Sequence, residues 1–324
     1  MLTRRTVKVV VATHGHCFDG LASAAVFTRL LRSVERPTEF VYRACGYGIG
    51  QAHPSPKMLT GDQNAILDFR FAPEAAVTWY FDHHRTAFAD AEARAVYDER
   101  AESERYWFDP AYSSCTKLIA DIAREQFGME DPLLASLVHW ADIVDAARFD
   151  SAEDAVSREN PVKRLVSVVE HYGDDAFLQR MVGRLLEQPL DEVAALPEIQ
   201  DRYKPLGEKH MRFVERVRQN GQRLGRVVLV DLTENVLETV GKFVTYALYP
   251  DSVYSVLIGL LKNGVKISVG YNPWSGAPLD TDISAICARH GGGGHPVVGG
   301  ISFRTKELDR ARSVAREIAE ELAG

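Results

Sequence analysis

The sequence predicts an α/β protein of two domains, with a mostly parallel sheet flanked by helices in the N-terminal domain. Near the N-terminus, short apolar runs rich in β-branched residues alternate with helical patterns, which is typical of β-α units and a parallel sheet. The β pattern returns after Gly225 and predicts a smaller α/β domain at the C-terminal end. The chain of 324 residues also exceeds the commonest size of one domain. We therefore predict domains at 1–190 and 226–324, with a linker helix region at 191–225.

The elements follow from hydrophobic periodicity and from the residues that punctuate it. In the N-terminal domain we predict strands at 7–12, 40–44, 64–69 and 77–81. Helices are predicted at 21–33, 115–127, 132–147, 162–170 and 175–186, and a charged connecting helix at 207–222. In the C-terminal domain, the run RVVLVD predicts a strand, 235–248 a helix, and the runs YSVLIGLL and VKISVGY two further strands.

Composition excludes several classes of protein. Because the net charge is −7, the chain lacks the basic excess that duplex nucleic acid usually requires, and we expect no duplex binding. The four cysteines are too few and too scattered for a disulfide framework. No apolar run is long enough for a signal peptide or a membrane span, so we expect a cytoplasmic protein without a membrane partner.

Acidic and imidazole side chains follow three of the predicted strands. These are the segment from His14 to Asp19, Asp68, and the triplet Asp82, His83 and His84. Parallel strands bring their carboxyl ends to one edge of the sheet, where ligands bind. Crowded carboxylates repel one another unless a cation intervenes, and carboxylate with imidazole suits Mn, Fe or Zn. Taken singly, each residue also has an ordinary structural explanation, such as a helix cap for Asp19.

A run of four glycines, Gly291–Gly294, ends in His295 and Pro296. Glycine backbone N–H groups can approach an anion closely, in φ regions that other residues avoid. The run is therefore a candidate phosphate-binding loop with His295 as a side-chain donor. The alternative is a flexible turn between a helix and a strand.

Together these motifs resemble the DHH phosphoesterase superfamily, in the branch whose DHH-associated C-terminal domain carries a GGGH loop. The resemblance rests on His14-x-x-Cys17-x-Asp19-Gly20, Asp68, Asp82-His83-His84 and the GGGGHP run, which occur in the order of the family and span nearly the whole chain. It implies two divalent metal ions, with manganese favoured, in the cleft between the two domains. It also implies attack on phosphorus by hydroxide from a metal-activated water.

The resemblance also implies a role for each matching residue. The implied metal ligands are His14, Cys17, Asp19, Asp68, His83 and Asp142. Asp68 bridges both ions, Asp82 orients His83, and His84 with Arg85 contacts phosphate oxygens. For the last ligand, Asp142 in LVHWADIVD is preferred to Asp145, three residues further on. The catalytic set is then Asp68, Asp82 and His84, and the remaining substrate-binding residues are Asn272, Gly292, Gly293, Gly294 and His295.

The chain departs from the pattern of the family at two positions. Cys17 stands where the family commonly has Asp, and either binds a softer metal such as Zn or Fe or does not coordinate. His16 is an additional imidazole beside it. Many relatives carry an Arg in the strand before the glycine loop, where this chain has Gly270. Asn272 and Trp274 either replace that Arg, by hydrogen bonding and base stacking, or form a packed turn.

The function implied is a metal-dependent phosphoesterase for small substrates, most simply short single-stranded oligonucleotides, as in an oligoribonuclease or exonuclease, or 3′,5′-bisphosphate nucleotides. Two alternatives stay open: an exopolyphosphatase-like or cyclic-dinucleotide enzyme, and a nucleotide-binding module without activity. The sequence also leaves the oligomeric state open, a homodimer included.

Overall fold

The structure is a computed structural model that describes residues 7–35, 39–46, 53–74, 76–101, 105–241 and 243–324. These residues form two compact units. One comprises the described residues up to Arg148 together with Glu159–Tyr203, and the other comprises Phe149–Arg158 and Lys204–Gly324. Each unit is built on its own sheet, so the predicted α/β architecture is confirmed. The predicted boundaries at 190 and 225 stay predictions.

In the described residues up to Asn220, five strands are interspersed with two α-helices as far as Phe108, and seven α-helices follow. In chain order the elements are β1 (Lys8–His14), α1 (Phe18–Val34), β2 (Glu39–Cys45), β3 (Gln63–Leu67), β4 (Trp79–Asp82), α2 (Ala91–Ala101), β5 (Arg105–Phe108), α3 (Cys115–Phe127), α4 (Ala135–Asp145), α5 (Ala152–Val156), α6 (Pro161–Tyr172), α7 (Asp175–Leu185), α8 (Leu190–Ala194) and α9 (Pro197–Asn220). Of these, α5 and the greater part of α9 belong to the second unit.

The first sheet is fully parallel and has the strand order β2-β1-β3-β4-β5. The chain steps from β1 outward to β2 and then returns past β1 to β3, so the direction of winding reverses between β1 and β3. In open parallel sheets, ligands bind at the carboxyl ends of the strands beside such a reversal. His14 ends β1 and Asp68 follows β3 directly, so both lie at this position.

The second unit contains β6 (Gly221–Leu224), β7 (Val227–Leu232), α10 (Val244–Leu248), β8 (Tyr254–Leu261), β9 (Gly264–Tyr271), α11 (Ile283–Arg289), β10 (Gly293–His295), β11 (Val298–Phe303) and α12 (Leu308–Ala323). Its six strands have the order β10-β11-β9-β8-β7-β6, and only the pair β7–β8 is parallel. Apolar residues of α11 and α12 cover one face of this sheet. Phe213 and Val217 of α9 pack with residues of β7 and β8 in a second cluster.

One predicted helix of the second unit is wrong over most of its length. Among the described residues of 235–248, only Val244–Leu248 is helical. The preceding stretch is held in another conformation because the N–H of Leu237 donates to the carbonyl of Leu260, 2.8 Å away. The side chain of Leu237 is also buried in the core, so its apolar character reflects packing and not a helical face.

Within the described ranges, no helix has the length and apolar character needed to cross a membrane.

Candidate metal centre

The turn after β1 brings His14 and Cys17 close together. The N–H of Gly15 donates to the carbonyl of Cys45 at the end of β2, 2.7 Å away. His16 adopts a left-handed conformation with a φ of 55°. A Cβ at Gly20 would overlap the carbonyl oxygen of His14, so the close return of α1 onto β1 requires glycine there. The side chains of His14 and Cys17 therefore point into the same region as Asp68.

Asp19 lies in the first turn of α1 and is 1% exposed. Its carboxylate accepts hydrogen bonds from the backbone N–H groups of Cys115, at 2.7 Å, and Thr116, at 3.0 Å. These are the first two residues of α3, whose N-terminal N–H groups have no partners within the helix. The start of α3 thus fixes the orientation of the Asp19 carboxylate and favours its negative charge.

Asp68 follows β3 in a left-handed conformation with a φ of 55°, held by a 2.9 Å hydrogen bond from its N–H to the carbonyl of Phe81. The side chain is 1% exposed. Among the described residues, neither of its buried carboxylate oxygens has a hydrogen-bond partner. Buried polar atoms are rarely left in this state, and an ion that binds both oxygens would explain it.

The triplet at the end of β4 is organised by two different acceptors. Nδ1 of His83 lies 3.0 Å from the carbonyl oxygen of Tyr112, which can only accept, so Nδ1 carries a proton and Nε2 is the nitrogen that offers a lone pair when the ring is neutral. Nδ1 of His84 lies 2.8 Å from Oδ1 of Asp82. We had expected Asp82 to orient the ring of His83. The structure instead places the Asp82 carboxylate against the ring of His84, because the Tyr112 carbonyl holds His83.

The helix α4 presents Asp145, and not the expected Asp142, to this group. Oδ2 of Asp145 lies 3.4 Å from Nε2 of His83. Asp142 instead bonds to the hydroxyl of Ser113 and pairs with Arg148 at 3.3 Å. The two residues are three apart on the helix, which separates them by about 60° around its axis and about 4.5 Å along it. The preference for Asp142 is therefore corrected to Asp145.

Three groups of potential ligand atoms result, each with its atoms within 4.8 Å of one another. The groups are His14 with Cys17 and Asp68, Asp68 with His83 and His84, and Asp19 with His83 and Asp145. Asp68 and His83 each belong to two groups, so the donors form one continuous cluster. Carboxylate, imidazole and thiol donors at this spacing suit a divalent transition metal.

The pKa values of two carboxyl groups in the cluster are raised, which indicates that their negative charges are not fully compensated. Burial and then the nearby charge of Asp68 raise the pKa of Asp145 to about 6. Burial, followed by the charges of Asp68 and Asp145, raises the pKa of Asp19 well above its ordinary value. Both shifts have the same two causes, since desolvation and the negative charge of neighbouring carboxylates each disfavour the ionised form. A cation bound among them would remove this repulsion.

The histidines of the cluster stabilise the charge of Asp68, and the carboxylates in turn stabilise the charged form of His83. Burial alone would raise the pKa of Asp68, but His14, His83 and His84 together lower it to about 2. Burial disfavours the charged form of His83, yet the carboxylates around it raise its pKa to about 10. Without an ion, protonated imidazoles provide the positive charge that stabilises these carboxylates. A bound divalent ion would provide that charge instead, so the donor set fits such an ion.

Cys17 and His16 follow His14 in the same turn, but only Cys17 belongs to a group of potential ligands. Burial, followed by the charges of Asp68, Asp19 and Asp145, raises the pKa of the Cys17 thiol well above its ordinary value. A metal ion would reverse this, because metals bind the thiolate. His16 is exposed and belongs to none of the ligand groups found among the described residues. It lines a separate cavity of about 460 Å³ with residues of β2 and α7.

The expected substrate-binding residues are spread over both units. In the first unit, the side chain of His84 is 31% exposed and Arg85 is exposed. In the second unit the second half of the glycine run lies in a strand, because Gly293–His295 pairs with Val298–Gly300. Gly294 has a φ of 153°, and a Cβ there would overlap the carbonyl oxygen of Val298, so this pairing depends on glycine. His295 is exposed at the end of the hairpin.

Asn272 does not offer its side chain to a ligand. It is fully buried, and its amide donates to the carbonyls of Pro250, at 3.1 Å, and Ser252, at 2.8 Å. Its side-chain oxygen accepts from the N–H of Trp274 at 3.1 Å. The indole N–H of Trp274 in turn donates to the carbonyl of Phe149 at 2.9 Å. The assignment of Asn272 to substrate binding is corrected, because its polar atoms are used to build this turn.

Comparison with known proteins gives similar structures but no sequence family. PggH from Vibrio cholerae, a pGpG-specific phosphodiesterase, has a TM-score of 0.70 and 20% identity, over 98% of this chain and 100% of its own. The DHH domain of a protein assigned to a family of ribosomal proteins has a TM-score of 0.59 and 15% identity, over 97% and 87%. The exonuclease RecJ bound to manganese has a TM-score of 0.54 and 12% identity, over 98% and 91%. No family model and no curated protein matches the chain. The similarity shows that these proteins and this chain share a fold.

The exchange of Asp142 for Asp145 can be tested by metal titration. We expect Asp145→Asn to weaken the binding of Mn²⁺ at least about 10-fold, because loss of a direct ligand should cost no less than loss of an outer-shell partner. Asp142→Asn is the matched control on the same helix and should bind Mn²⁺ like the wild type. Calorimetric titration measures both. A larger loss in the Asp142 variant would restore the original assignment.

Coordination by Cys17 has a spectroscopic signature. Thiolate ligation of Co²⁺ produces strong charge-transfer absorption in the near ultraviolet. We expect this band in the Co²⁺-loaded wild type and its loss in Cys17→Ser, whereas Cys45→Ser, which changes a buried cysteine outside the ligand groups, should keep it. If the wild type shows no such band, Cys17 is not a ligand.

The structural role of Asn272 predicts a loss of stability. Asn272→Ala leaves two carbonyls and one N–H of the turn without partners, which we expect to lower the free energy of unfolding by about 2–4 kcal/mol. Asn235→Ala, at an exposed site of the same unit, should change it by less than about 0.5 kcal/mol. Urea unfolding measures both. A variant at 272 with unchanged stability but weakened substrate binding would contradict this role.

Proposed function

We propose that the chain is a metal-dependent phosphoesterase that hydrolyses small phosphorylated substrates. One observation carries this proposal: Asp68, whose two oxygens are buried without a hydrogen bond among the described residues, belongs to two groups of potential ligands. A carboxylate shared in this way is the usual bridge of a two-metal site, and such sites recur in phosphatases and nucleases. A module that only binds nucleotides would have no need of it.

In this proposal Asp19, Asp68, His83 and Asp145 hold one divalent ion, and His14, Cys17 and Asp68 contribute to the other. We favour manganese. The fold is shared with RecJ structures that contain Mn²⁺ and Mg²⁺, and carboxylate with imidazole suits manganese. The thiol of Cys17 is a softer donor and makes Zn or Fe the alternative.

When bound, the ions supply an activated water near neutral pH and neutralise charge on the phosphoryl oxygens. The residues of the chain provide the rest. Asp68 belongs to both groups of ligands and would set the distance between them. Nε2 of His84 faces away from Asp82, which is bonded to Nδ1, and is free to donate to a non-bridging phosphate oxygen when the ring is charged. Exposed Arg85 adds positive charge beside it.

The proposed substrates are short linear oligonucleotides or 3′,5′-bisphosphate nucleotides. The full-length similarity to a pGpG-specific phosphodiesterase supports a short linear substrate. The net charge of −7 also disfavours long polyanions, which bind best to basic surfaces. We place the protein in the cytoplasm, since its four cysteines are all free, as is usual in a reducing compartment.

The central test replaces the shared carboxylate. We expect Asp68→Asn to abolish hydrolysis and to bind fewer metal ions while keeping the fold, because Asn tolerates the positive φ of this position. Metal analysis, circular dichroism and turnover of di- to pentanucleotides measure the three effects. Asp98→Asn is the control, since that carboxylate is half exposed and pairs with Arg94.

Two results would contradict the proposal. Full turnover by the Asp68 variant would remove the role of this residue. Absence of wild-type activity on short RNA, bisphosphate nucleotides, cyclic dinucleotides and polyphosphate, with Mn²⁺, Mg²⁺, Zn²⁺ or Fe²⁺, would remove the enzymatic assignment. Activity on cyclic dinucleotides or polyphosphate alone would keep the chemistry and change the substrate class.

A further inference from the structure

Tyr80 is a buried residue beside the candidate site. Its hydroxyl binds Asp82, which belongs to none of the ligand groups found among the described residues. The hydroxyl of Tyr80 donates to Oδ2 of Asp82 at 3.0 Å. Both side chains are fully buried. Tyr80 lies on β4, two residues before Asp82, so its side chain points to the same side of the strand as that of Asp82.

The two oxygens of Asp82 have separate partners. Oδ1 accepts from the N–H of His83 at 2.8 Å, from the N–H of His84 at 3.1 Å, and from Nδ1 of His84 at 2.8 Å. Oδ2 is bonded to the hydroxyl of Tyr80. The tyrosine therefore prevents the carboxylate from rotating, since any rotation would break a bond at each oxygen. A buried carboxylate oxygen without a donor would also be costly.

We propose that Tyr80 is a positioning residue for His84. Through Asp82 it holds Nδ1 of His84 against the carboxylate, so that Nε2 faces away from Asp82. An effect of Tyr80 on the rate of turnover is expected only under the proposed function, in which His84 contacts phosphate. The arrangement itself does not, because it is a property of the hydrogen bonds among Tyr80, Asp82 and His84.

A purely structural role for Tyr80 is the competing explanation. Its ring packs against the rings of Phe71, Tyr97 and Tyr106, with centroids 5.2, 5.7 and 6.1 Å away. Tyr106 provides a matched control in the same cluster. It is 6% exposed, and its hydroxyl donates to the carbonyl of Val77 at 2.8 Å. Removal of either hydroxyl takes one buried hydrogen bond from the same packing environment.

The experiment compares Tyr80→Phe with Tyr106→Phe in the full chain loaded with Mn²⁺. For Tyr80→Phe we expect kcat to fall about 10-fold, in the range seen when an outer-shell partner is removed, with KM changed by less than about twofold. Tyr106→Phe should keep both parameters within about twofold of the wild type. Thermal unfolding of both variants shows whether they lose similar stability, as the competing explanation requires.

A second measurement does not depend on activity. The ¹⁵N chemical shifts of the His84 ring, assigned with His84→Gln in the metal-free protein and followed to a pH at which the ring is neutral, report which nitrogen keeps the proton. We expect protonated Nδ1 in the wild type and in Tyr106→Phe, and a mixture of tautomers in Tyr80→Phe. If the Tyr80 variant does not fold, the wild-type spectrum still decides, since a proton confined to Nε2 would overturn the proposal.

The remaining outcomes are also decisive. Equal kcat in the two phenylalanine variants, with an unchanged His84 spectrum, would leave Tyr80 with packing alone and overturn the inference. If the wild type hydrolyses none of the substrates screened, the proposed function fails, while the ring spectra still test the positioning of His84.

Discussion

The candidate site depends on one electrostatic constraint: the buried carboxylates of Asp19 and Asp68 and the more exposed carboxylate of Asp145 all lie close to the imidazole of His83. Such groups cannot all be charged away from water unless positive charge lies between them. The start of α3 partly meets this demand at Asp19, and His83 meets it when protonated. A divalent ion would meet it more fully, because one ion can contact several carboxylates at once. The conformation that gathers these groups therefore makes sense as the conformation of a metal protein.

The parallel sheet makes this gathering possible. His14, Asp68 and Asp82 occupy the carboxyl ends of β1, β3 and β4, which are neighbours in the sheet although the residues are far apart in sequence. The left-handed conformations of His16 and Asp68 lie in the turns that leave two of these strands. Backbone strain of this kind is tolerated where surrounding structure enforces it, as the bonds of His16 to Gly173 and of Asp68 to Phe81 do here.

The sequence allowed the strand ends to be predicted well because adjacency in a parallel sheet follows from the strand pattern. It allowed less for α4. Leu137 and Ala141 are the buried residues of α4, and a further step of four leads to Asp145, so the helical periodicity favoured Asp145, whereas the choice of Asp142 weighed the apolar stretch alone. The carbonyl of Tyr112 and the hydroxyl of Tyr80 carried no sequence signal, since neither a loop carbonyl nor an aromatic residue in a strand is distinctive. The wrong helix at 235–248 has a different reason. Leu237 is apolar because it packs in the core, and the sequence pattern could not distinguish this from the buried face of a helix.

The second unit explains why recognition of the substrate cannot simply be transferred from similar proteins. At Gly270, where the resemblance would place an arginine, a Cβ would overlap the hydroxyl of Tyr246. That hydroxyl is buried and accepts a 3.0 Å hydrogen bond from Ser255, so the space is filled by a paired polar group that cannot move at low cost. Glycine at 270 is thus required by packing, and no side chain can extend from this position. With Asn272 also committed to its turn, any polar contact made by this unit must come from other residues, of which exposed His295 is the one that the motif supplies. Under the proposed function, recognition of the substrate end would therefore differ from that in relatives that carry the arginine.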